Sequence, residues 1–105
     1  DTQATHALAV NRLGLPVGTG RFVMLEPGIA KIGRMAVLAP VRSAGVGRQL
    51  LDALVNAARV RACTQVTLHA QASAVAFYER AGFMPQGEPF TEAGRANQAM
   101  VHKLR

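Results

Sequence analysis

The chain has 105 residues, half of them hydrophobic, which suits one domain (residues 1–105) with a single modest core. No apolar run approaches the ~20 residues of a helical membrane span, and Asp1-Thr2-Gln3-Ala4-Thr5 lacks the basic head and apolar centre of a secretion signal. The formal net charge of +6 implies an acidic partner, while one cysteine, Cys63, excludes an internal disulfide and gives no metal cluster. The expected setting is a reducing cytoplasm, with no membrane partner and no metal. Cys63 reads as a small residue at a helix end, since no surrounding pattern would activate a thiol.

In chain order, Ala4 to Val10 predicts a strand and Asn11-Arg12-Leu13-Gly14 a turn. Val17 to Leu25 predicts a second strand, where Gly18 and Gly20 suggest a bulge or a close contact. Glu26-Pro27-Gly28 is the next turn and Ile29 to Leu38 the third strand, giving an antiparallel meander. After Pro40 the chain passes through Arg42-Ser43-Ala44-Gly45-Val46-Gly47-Arg48 into a helix predicted from Gly45 to Ala62. Leu50, Leu51, Leu54, Val55 and Ala58 fall on one face at steps of three and four. Thr64 to Ala70 alternates as a half-buried strand, so Met35 to Ala70 makes a strand–helix–strand unit with a parallel pair and a right-handed crossover. A second helix is expected over Ala72 to Ala81, with Ala74, Phe77, Tyr78 and Ala81 apolar and Gly82 as its stop. Phe83 to Phe90, a turn at Thr91 to Gly94, and Asn97 to Leu104 read as a closing hairpin. The fold class is α+β, a mixed and mostly antiparallel sheet with one parallel strand pair and flanking helices.

Two segments carry chemistry. A strand, a glycine-bearing turn and a helix start leave backbone N–H groups without intrahelical partners, and the helix dipole adds partial positive charge there. Such a place favours phosphate, with Arg42 and Arg48 bracketing it. The spacing does not fit a nucleoside-triphosphate loop or a dinucleotide fingerprint. A glycine pair at a helix start is weak evidence alone, because a tight turn without a ligand looks the same. Arg-x-x-Gly-x-Gly in this setting resembles the acyl-CoA-binding motif of the GCN5-related N-acetyltransferases. The second segment, Gln71-Ala72-Ser73-Ala74-Val75-Ala76-Phe77-Tyr78-Glu79-Arg80-Ala81-Gly82-Phe83, resembles the Asn-x-x-Ala-x-x-Phe-Tyr-x-x-x-Gly-Phe signature of the same family, with Gln71 in place of Asn. The motifs stand in the expected order, one helix and one strand apart. His69-Ala70-Gln71 and Gly87-Glu88-x-Phe90-x-Glu92-x-Gly94 look like the ElaA-like branch, although Arg95-Ala96-Asn97 replaces its usual Ile-Pro-His. The resemblance covers Ala4 to the C-terminus, and family members usually carry a strand and one or two helices before that point, so the chain is N-terminally short against the family pattern.

The resemblance implies direct transfer of an acetyl group from acetyl-CoA to an amine, of a small molecule or a protein, in a ternary complex. Main-chain groups of Met35, Ala36 and Val37 would pair with the pantetheine arm, with the Val37 N–H as donor to the oxyanion. Arg42, Ser43, Ala44, Gly45, Val46, Gly47 and Arg48 would hold the pyrophosphate, Gln71 and Ser73 would line the cofactor, and Tyr78 would donate a hydrogen bond to the departing sulfur. By spacing alone Tyr78 is equally a core aromatic beside Phe77, and Phe77 is read as core. Arg80 would meet the ribose phosphate or simply lie on a solvated helix face. No carboxylate occurs from Gly33 to Leu38, where many relatives place a base, which leaves Glu26, His69, Glu92 and His102, each more ordinarily a surface or sheet-face polar residue. A homodimer is compatible with this class. A non-catalytic acyl-CoA-binding module of the same fold is the main alternative. A nucleic-acid-binding domain fits the charge alone, because the ten arginines counted along the sequence are scattered and one Tyr with no Trp offers little to stack on bases.

Overall fold

A computed structural model describes residues 4–10, 16–37 and 45–104. The elements are β1 (Ala4–Val10), β2 (Pro16–Glu26), β3 (Ile29–Val37), α1 (Val46–Val60), β4 (Gln65–Gln71), α2 (Val75–Arg80), β5 (Met84–Pro85), β6 (Phe90–Glu92) and β7 (Arg95–Lys103). They form one sheet in the order β1-β2-β3-β4-β7-β5, with β6 also paired to β7. Among the described strands only β3 and β4 run parallel. The meander, the strand–helix–strand unit and the mixed sheet are thus as the sequence predicts.

The core lies between the sheet and α1. Leu50, Leu51, Leu54, Val55 and Ala58 are all buried, the face expected from their spacing. Leu51, Leu54, Val55 and Ala58 meet Phe22, Ala30, Ile32, Val66, Leu68 and Ala70 from three adjacent strands. Non-directional burial of this apolar area is what holds helix to sheet. Helix α2 lies on the same side: Phe77 and Tyr78 pack against this cluster, and Arg48 Nη1 of α1 donates to the Arg80 carbonyl of α2 at 3.2 Å. Along β4, Val66, Leu68 and Ala70 turn inward while His69 and Gln71 are exposed on the opposite face. No helix among the described residues covers that opposite face.

Two expectations change. The helix expected over Ala72 to Ala81 opens as a 3₁₀ turn at Ala72–Ala74 and is α-helical only over Val75–Arg80. The strand expected over Phe83 to Phe90 is broken into β5 and β6. Pro85 and Pro89 lack N–H donors and Gly87 takes φ 76°, so no ladder can run through. Instead the Gln98 side-chain amide donates to the Gln86 and Gly87 carbonyls at 3.3 and 3.1 Å. The following turn closes at Ala93–Gly94, with φ of 52° and 75°, so that Glu92 and Arg95 still pair.

The separation of the parallel pair positions everything that follows. The β3–β4 ladder runs from Ile29↔Gln65 to Ile32↔Leu68 and stops. At the next residue, Gly33, the register between β2 and β3 slips, with Phe22 opposite Ile32 but Arg21 opposite Arg34. A bulge bends the strand that carries it. Beyond it β3 continues beside β2, and His69 to Gln71 continue beside β7. A cleft therefore opens between the C-terminal ends of two parallel strands, the usual location of ligand sites in sheets of this kind.

Candidate active site

The turn into α1 opens at this same end. Gly45 is its N-cap, in the left-handed region at φ 80°, and its carbonyl takes the first helical bond from the Gln49 N–H at 3.0 Å. A Cβ there would meet nothing within 4 Å, so Gly45 is required by its backbone angles and not by crowding. Among the described residues no side chain caps the helix, and no acidic residue stands in its first turn. The N–H groups of Val46, Gly47 and Arg48 accordingly lack helical acceptors, a standing invitation to an anion. Arg48 is less free than its sequence position suggests: its Nε donates to Asp52 Oδ1 at 2.9 Å while Nη1 reaches Arg80. Arg42, Ser43 and Ala44 lie outside the described residues. Met35, Ala36 and Val37 are placed by backbone pairing with Gly20, Thr19 and Gly18 respectively.

Tyr78 is set by the end of α2. Gly82, at φ 100°, donates to the Glu79 carbonyl, and Phe83 donates to the Tyr78 carbonyl, both at 3.0 Å. This double bond pattern terminates a helix and brings the residue after the glycine against the last full turn. Here that contact is aromatic: Phe83 meets Tyr78 edge to face with ring centroids 5.8 Å apart, and Phe77 meets Tyr78 at 5.1 Å. The spacing Tyr-x-x-x-Gly-Phe is therefore a helix stop that clamps a phenol. Half-burial pushes the Tyr78 hydroxyl above the usual phenol range, because the phenolate would lose hydration. Gln71 and Ser73 are exposed at the end of β4 and in the 3₁₀ turn after it, on the way to Tyr78. Gln71 Oε1 accepts a long hydrogen bond from Arg95 Nη1 at 3.5 Å.

The four base candidates separate in space. Glu26 is the last residue of β2, at the end of the sheet where the parallel ladder begins rather than where it parts. His102 packs edge to face on Phe83, at 5.3 Å between ring centroids, beneath α2. His69 and Glu92 come together, His69 Nδ1 lying 3.6 Å from Glu92 Oε2, on the open face of the sheet. Sequence reasoning missed a third feature of that face. A pocket of about 220 Å³ is lined by His6, Thr19, Gly20 and Arg21, and Arg21 Nε is buried there with no partner among the described residues. No metal-binding cluster occurs among the described residues, nor is any described helix long and apolar enough to cross a membrane.

Residues 1–104 match the family model described as an acetyltransferase (GNAT) domain. An uncharacterised acetyltransferase of the arcA 3′ region of Streptococcus pyogenes is 31% identical over 104 residues, covering 99% of this chain and 70% of that protein. The crystal structure of Escherichia coli ElaA superposes with a TM-score of 0.84 at 26% identity, covering 95% of this chain and 68% of the other. A GNAT family acetyltransferase from Elizabethkingia anophelis with acetyl-CoA bound shares the fold, with a TM-score of 0.84 at 18% identity over 98% of this chain and 78% of that one. The strand parting, the uncapped helix start, the clamped phenol and the family match converge: this chain belongs to the GNAT family of acetyltransferases.

Proposed function

We propose that the chain transfers an acetyl group from acetyl-CoA to an amine in a ternary complex. The observation that carries this reading is the parting of β3 from β4 after Ile32 and Leu68, with the uncapped start of α1 at the same end. The cleft suits an extended pantetheine arm, which would add main-chain pairs to Met35 and Val37 as a short extra strand does. The N–H groups from Ser43 to Arg48 suit the pyrophosphate, with Arg42 adding charge. The Val37 N–H is the proposed donor to the oxyanion. An acetyl-CoA complex in a protein of the same fold supports the donor.

Tyr78 is the proposed hydrogen-bond donor to the leaving sulfur. With reference values of about 10 for a phenol and 8.5 for a thiol, full proton transfer to the thiolate is uphill by ~2 kcal/mol. Burial raises the phenol further and widens that gap. Stabilisation of developing thiolate by a retained proton is therefore the expected role.

Calorimetric titration with acetyl-CoA, followed by thiol release with spermidine, tyramine and a lysine peptide, tests the proposal. Binding with turnover supports it. Binding without turnover on any acceptor points to an acyl-CoA-binding module, and no binding removes the cofactor assignment. Tyr78→Phe is expected to lower kcat by about 10²-fold, the scale for removing one hydrogen-bond donor to developing charge, with little change in acetyl-CoA affinity. Equal losses in both would strip Tyr78 of its role.

A further inference from the structure

We propose that His69, paired with Glu92 on the sheet face opposite α1 and α2, is the base that receives the acceptor's proton. This rests on the transferase reading and adds the residue that the family resemblance leaves unassigned.

The geometry begins with alternation along β4. Val66, Leu68 and Ala70 are buried under the helices, so His69 is turned to the other face. His69 is also the first β4 residue beyond the last β3–β4 pair, which places it at the mouth of the cleft. Its partner on β7 is Ala99, whose small side chain leaves room above the strand. Across that gap the imidazole meets Phe90 of β6 edge to face, with centroids 5.0 Å apart. Glu92, two residues on and on the same face, places Oε2 3.6 Å from Nδ1. That distance is an ion-pair contact rather than a closed hydrogen bond. A carboxylate at Nδ1 orients the ring and leaves Nε2 to exchange the working proton. Among the described side chains, the charged group flanking the pair is Arg95, opposite Glu92 in the β6–β7 hairpin and bonded to Gln71 of β4. Phe90 and Asn97, paired beside it, carry no charge. The dyad stays accessible, with side-chain exposures of 36% for His69 and 57% for Glu92, as a base for a diffusing acceptor must be.

The step then balances as follows. An alkylammonium gives one proton to His69 Nε2, which passes it to solvent. The freed nitrogen lone pair forms the C–N bond at the thioester carbonyl. On collapse the C–S bond breaks with its electron pair going to sulfur, and the nitrogen's second proton finally neutralises the thiolate. Tyr78, on the helix side, holds the sulfur while His69 serves the opposite side. Base and leaving-group donor are thus separated by the thickness of the sheet.

The test uses two acceptors that differ in the need for a base. Spermidine is an alkylammonium at neutral pH, since such groups lose their proton near 10.4; hydroxylamine is already neutral there. His69→Gln is expected to lower kcat/KM for spermidine by about 10²-fold or more, the usual scale of general-base catalysis. It should flatten the acid limb of the pH profile, leave acetyl-CoA affinity intact, and spare hydroxylamine acetylation. Glu92→Gln should give a smaller loss, about tenfold, with the same selectivity between acceptors. Equal losses on both acceptors, or an unchanged acid limb in His69→Gln, would overturn the assignment while leaving the transferase reading standing. Failure of the unaltered protein to bind acetyl-CoA would instead sink the transferase reading and this inference with it.

Discussion

The two helices end in the same hydrogen-bond pattern with different residues, and the contrast separates what supports the fold from what supports the site. At the end of α1, Ala62 donates to the Arg59 carbonyl and Cys63 to the Ala58 carbonyl. At the end of α2, Gly82 and Phe83 make the equivalent pair of bonds to Glu79 and Tyr78. The first end is strained, because Ala62 is held at φ 61°, a conformation that costs an L-residue about 1–2 kcal/mol. It packs two small buried residues, Ala58 and Cys63, and Cys63 Sγ rests 3.7 Å from Met24 Sδ. The second end spends a glycine to avoid that strain and packs Phe83 on the ring of Tyr78. One terminus only joins a helix to the next strand. The other immobilises the phenol proposed to face the sulfur, which is why its motif is legible in the sequence and that of α1 is not.

The largest way to break the contrast is Phe83→Ala. Phe83 is 2% exposed, and truncating a buried Phe costs about 3–5 kcal/mol. Denaturant unfolding should show that loss, with kcat falling because Tyr78 loses its clamp. Cys63→Ala, the same position at the other helix, should cost no more than about 1–1.5 kcal/mol, the scale of one lost methyl-sized group.

Gly82→Ala comes next. A Cβ at Gly82 would stand 2.9 Å from His102 Nε2, and the residue is at φ 100°. Strain of about 1–2 kcal/mol adds to about 1–3 kcal/mol of overpacking. Combining it with His102→Ala should recover the second part and not the first. A double variant as unstable as Gly82→Ala alone would show that the contact was not the cause.

The mirror substitution, Ala62→Gly, should stabilise. It relieves the left-handed strain but gives back unfolded-state entropy of about 0.4–1 kcal/mol. The expected net gain is a few tenths to about 1 kcal/mol, seen as a higher urea midpoint at unchanged slope.

The smallest effect is in pH. Tyr78 titrates higher in the folded chain than when unfolded, so the folded state holds its proton longer. Stability from this source is constant below the unfolded phenol value of about 10. It declines as pH rises from there through the raised folded value. Tyr78→Phe should flatten that alkaline decline. A decline of equal slope in the variant would assign it to other groups.

Much of the fold was legible because it is local. The step of three and four through Leu50, Leu51, Leu54, Val55 and Ala58, the alternation of Val66, Leu68 and Ala70, and Gly82 as a helix stop each encode their structure within a few residues. The segment after Phe83 was not legible as drawn. Its carbonyls are claimed by Gln98, a residue more than ten positions downstream, and the prolines at 85 and 89 outweigh the apolar pattern. The pairing that singles out the proposed base was equally hidden: His69 and Glu92 sit on different strands, and only the packing of β6 and β4 on either side of β7 joins them.

Sequence alone therefore determined the order and type of the elements as far as β4, the exposed amides after Gly45, and the family, since each depends on periodicity or on residues that backbone angles demand. Tertiary structure decided where the parallel ladder ends, which face each polar side chain takes at that point, and which histidine acquires a carboxylate. Those outcomes depend on register between strands distant in the chain, and a single bulge at Gly33 shifts them without leaving a local signature.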